Sequence, residues 1–268
     1  MIGVRSVEKR LEREDVKEKN AGAAAFLDLD GTLMCLPSLE KRFFSMLRYR
    51  KLIGVRNYVL WIAEAVRLAP RGARQVMYAN KLHLRGVPRD QTDSSRVPPF
   101  YPEAIERVVW HAERGHLIVI VSGTLEQLAD GSARVLEAEL RARGLASAIR
   151  VCATRLGEKS DRWTGRIVGE AMFGEAKARA IRRIAAAEDL DLGRCFAYGD
   201  SASDRWMLEA VGKPAAVNPS NDLARIAERK DWAVLWWGKE RTFRRRAQGT
   251  DGSDDEFEVP RAKAGFRA

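Results

Sequence analysis

The sequence predicts an α/β protein, a doubly wound parallel sheet with an inserted α-helical cap. Three observations predict it. Between residues 104 and 237, short apolar runs alternate with amphipathic helical stretches, as in βα units whose parallel strands are covered on both faces. An earlier apolar run, AAAFLDL at 23–29, is separated from that series by a long helical, arginine-rich stretch. The 268 residues, 46% hydrophobic and 31% charged, suffice for one substantial core plus a smaller second unit.

The elements follow in order. Residues 1–20 are dense in both signs of charge and read as a lead-in. AAAFLDL is a short buried strand ending at the Gly31 turn. Across 39–85, Phe43, Phe44, Leu47, Tyr58, Trp61, Ile62, Ala65, Val66 and Leu68 recur at helical spacing in stripes broken by arginines. Pro37 and the VPPFYP run at 97–102 bound this stretch, so the cap is expected at 37–97 and the α/β core at 21–36 and 98–238. AIERVVWHAERG (104–115) then reads as a helix, HLIVIVSG (116–123) as a buried strand, 125–144 as a helix and IRVCATR (149–155) as a strand. A β-hairpin is expected around WTGRI, followed by the helix GEAKARAIRRIAAAEDL, the strand CFAYGD, a helix at ASDRWMLEAVG and strands at AAVN and WAVLWW. Residues 239–268, basic and then acidic, read as a disordered tail.

Composition excludes several classes. Cys35, Cys152 and Cys195 lie far apart without a CxxC pair, so neither a disulfide framework nor a zinc knuckle is indicated and a reducing cytoplasm is expected. The N-terminus is charged where a signal peptide is apolar, and no run of eighteen apolar residues occurs, so the chain reads as neither secreted nor membrane-spanning. His83, His111 and His116 lack HxxxH or HExxH spacing and read as ordinary structural residues. Trp232, Trp236 and Trp237 are expected to complete the core near the last strand. The net charge is +10, and residues 41–89 carry twelve cations against the single acid Glu64, which is the whole surplus.

The run FLDLDGTL at 26–33 sets two carboxylates one residue apart at the end of a strand, where like charges repel and something positive should offset them. Three further polar groups fall at later strand ends or on the helices that follow: Ser122-Gly123, Lys177, and Gly199-Asp200 with Ser201 and Asp204. Each alone has an ordinary reading as a turn, a cap or a solvated lysine. Together they supply what phosphoryl transfer requires: a nucleophile, a divalent cation, donors for the phosphoryl oxygens and a proton shuttle. Asp28 can attack phosphorus to give an aspartyl-phosphate. Mg²⁺, which takes oxygen ligands, suits Asp28 with Asp200 and relieves the crowding of acids. The amides of the Gly31-Thr32 turn, the Ser122 hydroxyl and the Gly123 N–H can donate to phosphate, and Lys177 adds a positive charge. Asp30 can protonate the leaving group and later deprotonate water. Asp204, one helical turn beyond Asp200, can ligate the metal or hold Lys177.

DLDGT at 28–32, VSGT at 121–124, Lys177 in FGEAKARAI and YGDSASD at 198–204 resemble the four ordered motifs of the haloacid dehalogenase superfamily of phosphatases. Over about residues 22–237 the chain is similar to its phosphoserine-phosphatase-like branch, in which a helical cap follows the first motif. The resemblance implies Asp28 as nucleophile, Asp30 as acid/base, Ser122 and Lys177 as phosphate binders and Asp200 as metal ligand, with the Asp30 backbone carbonyl also on Mg²⁺. It also implies phosphatase rather than dehalogenase chemistry, because the second aspartate is present.

Phosphoserine phosphatases proper carry a glutamate shortly after the first motif that recognises the substrate amino group. Here that position is Pro37, and Glu40 is the nearest acid. Ser201 and Ser203 replace the second glycine and the asparagine of the fourth motif. The expected substrate is therefore a small phosphorylated metabolite or a phospholipid headgroup, with phosphoserine as the alternative. A cap closes over such a site and selects the leaving group, so its cations favour an anionic substrate or an anionic membrane, which RNYVLWIAEAVRL with Tyr58 and Trp61 could contact. No nucleic-acid reader motif accompanies the charge. The competing classes are a non-hydrolytic lipid- or nucleic-acid-binding protein on the same fold, and transfer of the phosphoryl group to an acceptor other than water.

Overall fold

In a computed structural model, residues 22–72, 76, 78–92 and 97–238 are described. The charged lead-in at 1–20 and the tail at 239–268 lie outside the described residues.

β1 (Ala24–Leu27) is followed by the helical insert, α1 (Leu39–Tyr49) and α2 (Val55–Leu68), with 3₁₀ turns at Leu82–Leu84 and Arg89–Thr92. The chain then runs through α3 (Pro102–Glu113), β2 (Leu117–Leu125), α4 (Glu126–Ala142), β3 (Ile149–Thr154), the hairpin strands β4 (Leu156–Lys159) and β5 (Arg162–Ile167), and α5 (Glu175–Ala187). It ends with β6 (Phe196–Gly199), α6 (Arg205–Leu208), β7 (Lys213–Val217), α7 (Asn221–Arg229) and β8 (Ala233–Leu235).

Six strands form one sheet in the order β3-β2-β1-β6-β7-β8, with every neighbouring pair parallel. The order reverses between β1 and β6, and in open α/β sheets the crevice beyond the carboxyl ends of such a strand pair is where ligands bind. Strand alternation explains the two layers. Ala25, Leu27, Ile118 and Ile120 face one core, which α1, α3 and α4 complete through Phe43, Val108 and Leu136. Ala24, Phe26, Val119 and Val121 face the other, closed by Ile181 of α5, Leu208 of α6 and Leu223 of α7. Both faces are buried, so these strands read as unbroken apolar runs.

Sequence reading passed over α7. Its Ser220 hydroxyl accepts the Leu223 N–H as an N-cap, and Leu223 and Ala227 face the core one turn apart. The helix expected at 202–212 is reduced to α6, because residues 201–204 form a polar loop before it. Of the three late tryptophans Trp237 is buried, whereas Trp236 is 49% exposed and does not join the core.

The hairpin docks on the insert. Gly86 N–H donates to Trp163 O at 2.8 Å and Trp163 N–H to Val87 O at 3.0 Å. The Trp163 ring, 1% exposed, meets Phe43 of α1 edge-on at 5.7 Å. Truncating such an aromatic to alanine costs about 3–5 kcal/mol. His111 and His116, ordinary residues by sequence, are both buried and linked through their Nδ1 atoms at 2.8 Å, and His111 Nε2 lies 3.0 Å from the Tyr198 hydroxyl. Burial holds the His111 imidazole well below its usual range, with the neighbouring His116 and Arg107 acting in the same direction.

Candidate active site

β1 ends at Leu27, and the next residue leaves the sheet at the point where the strand order reverses. Asp28 stays registered with β6, because its N–H donates to Tyr198 O at 2.9 Å. Its side chain, 6% exposed, points into the crevice, where the counter-charge comes from α5. Lys177 Nζ donates to Asp28 Oδ1 and to Asp204 Oδ1, at 2.6 Å in each case. Burial opposes the charge on Lys177, but Asp204 and Asp28 more than reverse that and raise its proton affinity. Lys177 is therefore a buried ammonium shared by two carboxylates, and the positive group that the FLDLDGTL run called for is, first, this lysine.

Asp200 follows β6 and closes the cluster. Asp28, Asp200 and Asp204 offer one oxygen each, all within 4.8 Å of one another. Burial raises Asp200 to about 8, and the nearby Asp28 and Asp204 push the same way. Burial likewise raises Asp28 to about 7, with Lys177 opposing. Fully ionised, three carboxylates against one ammonium carry two uncompensated negative charges, a state that burial disfavours and that a divalent cation bound by oxygen would favour. Both Asp204 oxygens are already taken, one by Lys177 and the other by the Ser201 N–H and hydroxyl at 3.0 and 2.7 Å. Asp204 thus orients the loop and the lysine through three donors, whereas the second oxygen of Asp28 accepts only the long 3.3 Å bond from Thr32, which leaves Asp28 and Asp200 as the better metal ligands.

Asp30 stands off from this cluster. Its Oδ1 accepts the N–H of Leu39, the first residue of α1, at 2.7 Å. Burial raises its carboxyl to about 6, the Leu39 N–H acting against the rise and Glu40 adding to it. A carboxyl poised near neutrality can both give and take a proton.

The expected phosphate binders divide into two groups. Ser122, Gly123 and Lys177 line the crevice with Asp28, Asp30, Asp200 and Asp204. Gly31 and Thr32 do not. The Gly31 N–H donates to Met34 O at 2.8 Å, so it is not free for phosphate. What its missing side chain makes room for is Asp200: a Cβ on Gly31, where φ is +87°, would lie 2.3 Å from Asp200 Oδ2. Thr32 is fully buried, and its hydroxyl donates to Asp28 Oδ2 at 3.3 Å, so it touches the carboxylate instead of the wall of the crevice.

The crevice opens into a cavity of about 660 Å³ that reaches the insert. His83 meets Phe44 and Trp61 edge to face on its wall, and Tyr78 stacks on Phe173 at 4.6 Å. Burial lowers His83 to about 4, with the Lys81 charge adding to the effect. Lys81, only 2% exposed, is ion-paired with Glu40. The insert's positive charge is therefore partly neutralised: Lys81 by Glu40, Arg67 by Glu64 and Arg89 by Glu158. The wall residues and the Glu40–Lys81 pair carry no sequence signal of their own, because each partner looks like surface helix until the insert folds back on the sheet. Ser201 and Ser203, noted only as departures from a motif, bond to each other at 2.7 Å and hold Asp204 in place.

Comparison with known proteins agrees with this geometry. The haloacid dehalogenase-like hydrolase family model matches residues 25–209. A probable phosphatase of Mycobacterium tuberculosis is 30% identical over 242 residues, covering 84% of this chain and 79% of the relative. A Streptomyces azureus protein named for inhibition of morphological differentiation is 37% identical over 241 residues, 84% of this chain and 82% of its own. Among solved structures, a substrate-bound phosphoserine phosphatase superposes with a TM-score of 0.55 at 20% identity, covering 81% of this chain and 93% of the other, a likeness of fold. A Bordetella pertussis protein of unknown function does so with a TM-score of 0.59 at 25% identity, covering 81% and 99%.

Proposed function

The chain belongs to the haloacid dehalogenase-like hydrolases, on the phosphoserine-phosphatase-like branch, and is a phosphoric monoester hydrolase; from that premise we propose that it works through an aspartyl-phosphate on Asp28, with Mg²⁺ as its cofactor. The observation that carries the reading is the charge balance at the β1/β6 crevice, where the buried Asp28 and Asp204 and the half-buried Asp200 face one lysine.

Asp28 and Asp200 would hold the cation, which when bound neutralises the phosphoryl oxygens and lets the anionic substrate approach a carboxylate. Lys177 holds Asp28 by one oxygen and Thr32 by the other, so the attacking carboxylate is oriented before substrate arrives. An Asp28 oxygen forms the bond to phosphorus as the ester oxygen departs with the bonding pair. Asp30, with its carboxyl at about 6, supplies the proton that the leaving alkoxide takes. Asp30 then removes a proton from water as that water attacks phosphorus, which frees inorganic phosphate and restores Asp28. Ser122 and Lys177 are the groups on the crevice wall that can donate to the phosphoryl oxygens.

The leaving group enters the cavity between sheet and insert, which acts as the cap. Glu40 is engaged by Lys81, which argues against recognition of a substrate ammonium and hence against phosphoserine. A small phosphorylated metabolite or a phospholipid headgroup fits the reading better. The test is hydrolysis of an aryl phosphate with Mg²⁺ and after chelation, followed by a screen of phosphorylated metabolites and lysophospholipids. Turnover is expected only with the cation. Undiminished turnover in the presence of a chelator would remove the cation from the reading.

A further inference from the structure

Helix α2 presents two different faces. Trp61 lines the cavity and Leu68 is buried, so one side of the helix belongs to the interior. The other side carries Val55, Val59, Ile62 and Val66, which are 81%, 61%, 59% and 70% exposed. Their spacing of four, three and four residues puts them in one line along the helix. A branched aliphatic stripe in water costs free energy, and contiguous patches of this kind on a folded chain mark an interaction surface. Tyr58 and Trp61, the aromatics expected by sequence to meet a membrane, are not on it: Tyr58 packs against the core and Trp61 turns to the cavity.

The charges around the stripe decide its partner. Arg56 and Arg67 flank it on the same helix, and Arg48, Arg50 and Lys51 lie exposed at the end of α1 and in the turn before α2. Among the described residues, Arg48, Arg50, Lys51 and Arg56 have no carboxylate within ion-pair distance, while Arg67 is paired with Glu64. Arg50 donates to Gln91 and Arg48 lies over the Phe44 ring, contacts that leave their charges uncompensated, so a second copy seated on this stripe would bring like charges face to face, where they repel. An anionic bilayer instead offers apolar depth to the valines and isoleucine and negative headgroups to the arginines. We infer that α2 docks this face on an anionic lipid surface, Val55, Val59, Ile62 and Val66 entering the headgroup boundary and the flanking cations contacting lipid phosphates. The inference stands apart from the reaction, because none of these residues touches the crevice.

The test uses the full chain and vesicles of phosphatidylcholine with and without phosphatidylglycerol. Cosedimentation is expected with the anionic vesicles only, and the bound fraction of V59D/I62D is expected to fall about tenfold, with its circular dichroism and its hydrolysis of a soluble aryl phosphate unchanged. Replacing the same positions by serine separates loss of apolar contact from charge repulsion and is expected to weaken binding severalfold. Failure of the full chain to sediment, or equal binding by these variants and the parent, would overturn the inference. So would gel filtration showing a dimer that V59D/I62D splits, since the stripe would then belong to a second copy.

Discussion

Lys177 stands 2.6 Å from Asp28 although 149 positions separate them, and it stands equally close to Asp204. It is the cation that the cluster contains within itself. Replacing it by methionine keeps most of the volume and leaves the buried Asp28 and Asp204 without their cation. In chelator, Lys177→Met should lower unfolding free energy by about 3–5 kcal/mol, the cost of breaking a buried pair. Saturating Mg²⁺ should recover part of that loss. Denaturant titrations in both conditions measure it, and equal stability of variant and parent would contradict the charge balance.

Asp28→Asn keeps the shape of the side chain and removes the proposed nucleophile. Turnover of an aryl phosphate should fall by about a thousandfold or more, while the circular dichroism spectrum is unchanged. Activity within tenfold of the parent would exclude a covalent intermediate on this residue.

Gly31→Ala tests the close approach of backbone to carboxylate. A Cβ there would meet Asp200 Oδ2 at 2.3 Å on a backbone with φ of +87°, so Asp200 has to move. Displacement of a positioned group by about 1 Å can cost about a hundredfold in rate. The expected outcome is a loss of that order in kcat/KM, with a higher Mg²⁺ concentration needed for half-maximal activity. An unchanged Mg²⁺ dependence would show that Asp200 is not held through this contact.

His83 yields a pH dependence whose sign follows from its burial. The folded protein keeps this imidazole neutral down to about 4, whereas in the unfolded chain it takes up a proton near 6.5. Between those values the unfolded state binds more protons, so the contribution to stability is full above about 6.5 and is lost on acidification. His83→Phe preserves the edge contacts with Phe44 and Trp61 and removes the titration. At pH 5 the parent should have lost about 2 kcal/mol relative to the variant, compared with their difference at pH 7.5. A difference that stays constant across that range would show that His83 does not carry the shift.

Much of the fold was legible because strands buried on both faces read as apolar runs, as at 24–27 and 118–121, and because the helices between them keep one apolar stripe. The short helix α7 was not: nine residues with a serine cap resemble a loop when the flanking strands are only five and three residues long. In the site, Asp28, Ser122, Lys177 and Asp200 could be picked out because each follows or faces a strand end, and the structure brings all four to one crevice. The role of Gly31 was not legible, since a glycine that spares a distant carboxylate looks the same as one that spares a phosphate. The Lys81–Glu40 pair was not legible, because only the folded insert brings the two together. The outward face of α2 was hidden for the opposite reason. A valine at every turn of a helix signals a core contact, and nothing in the linear pattern tells which stripe finds the core.

The backbone bonds between the hairpin and the 86–87 stretch have a consequence for how the insert moves. The helical insert is tied to the hairpin through Trp163 as well as to the sheet through its own chain ends, so any movement of the insert carries the hairpin with it. The packing of the insert is therefore a joint property of two segments far apart in the gene, and transplanting residues 37–97 into a relative without the hairpin would carry over the cavity wall without its anchor.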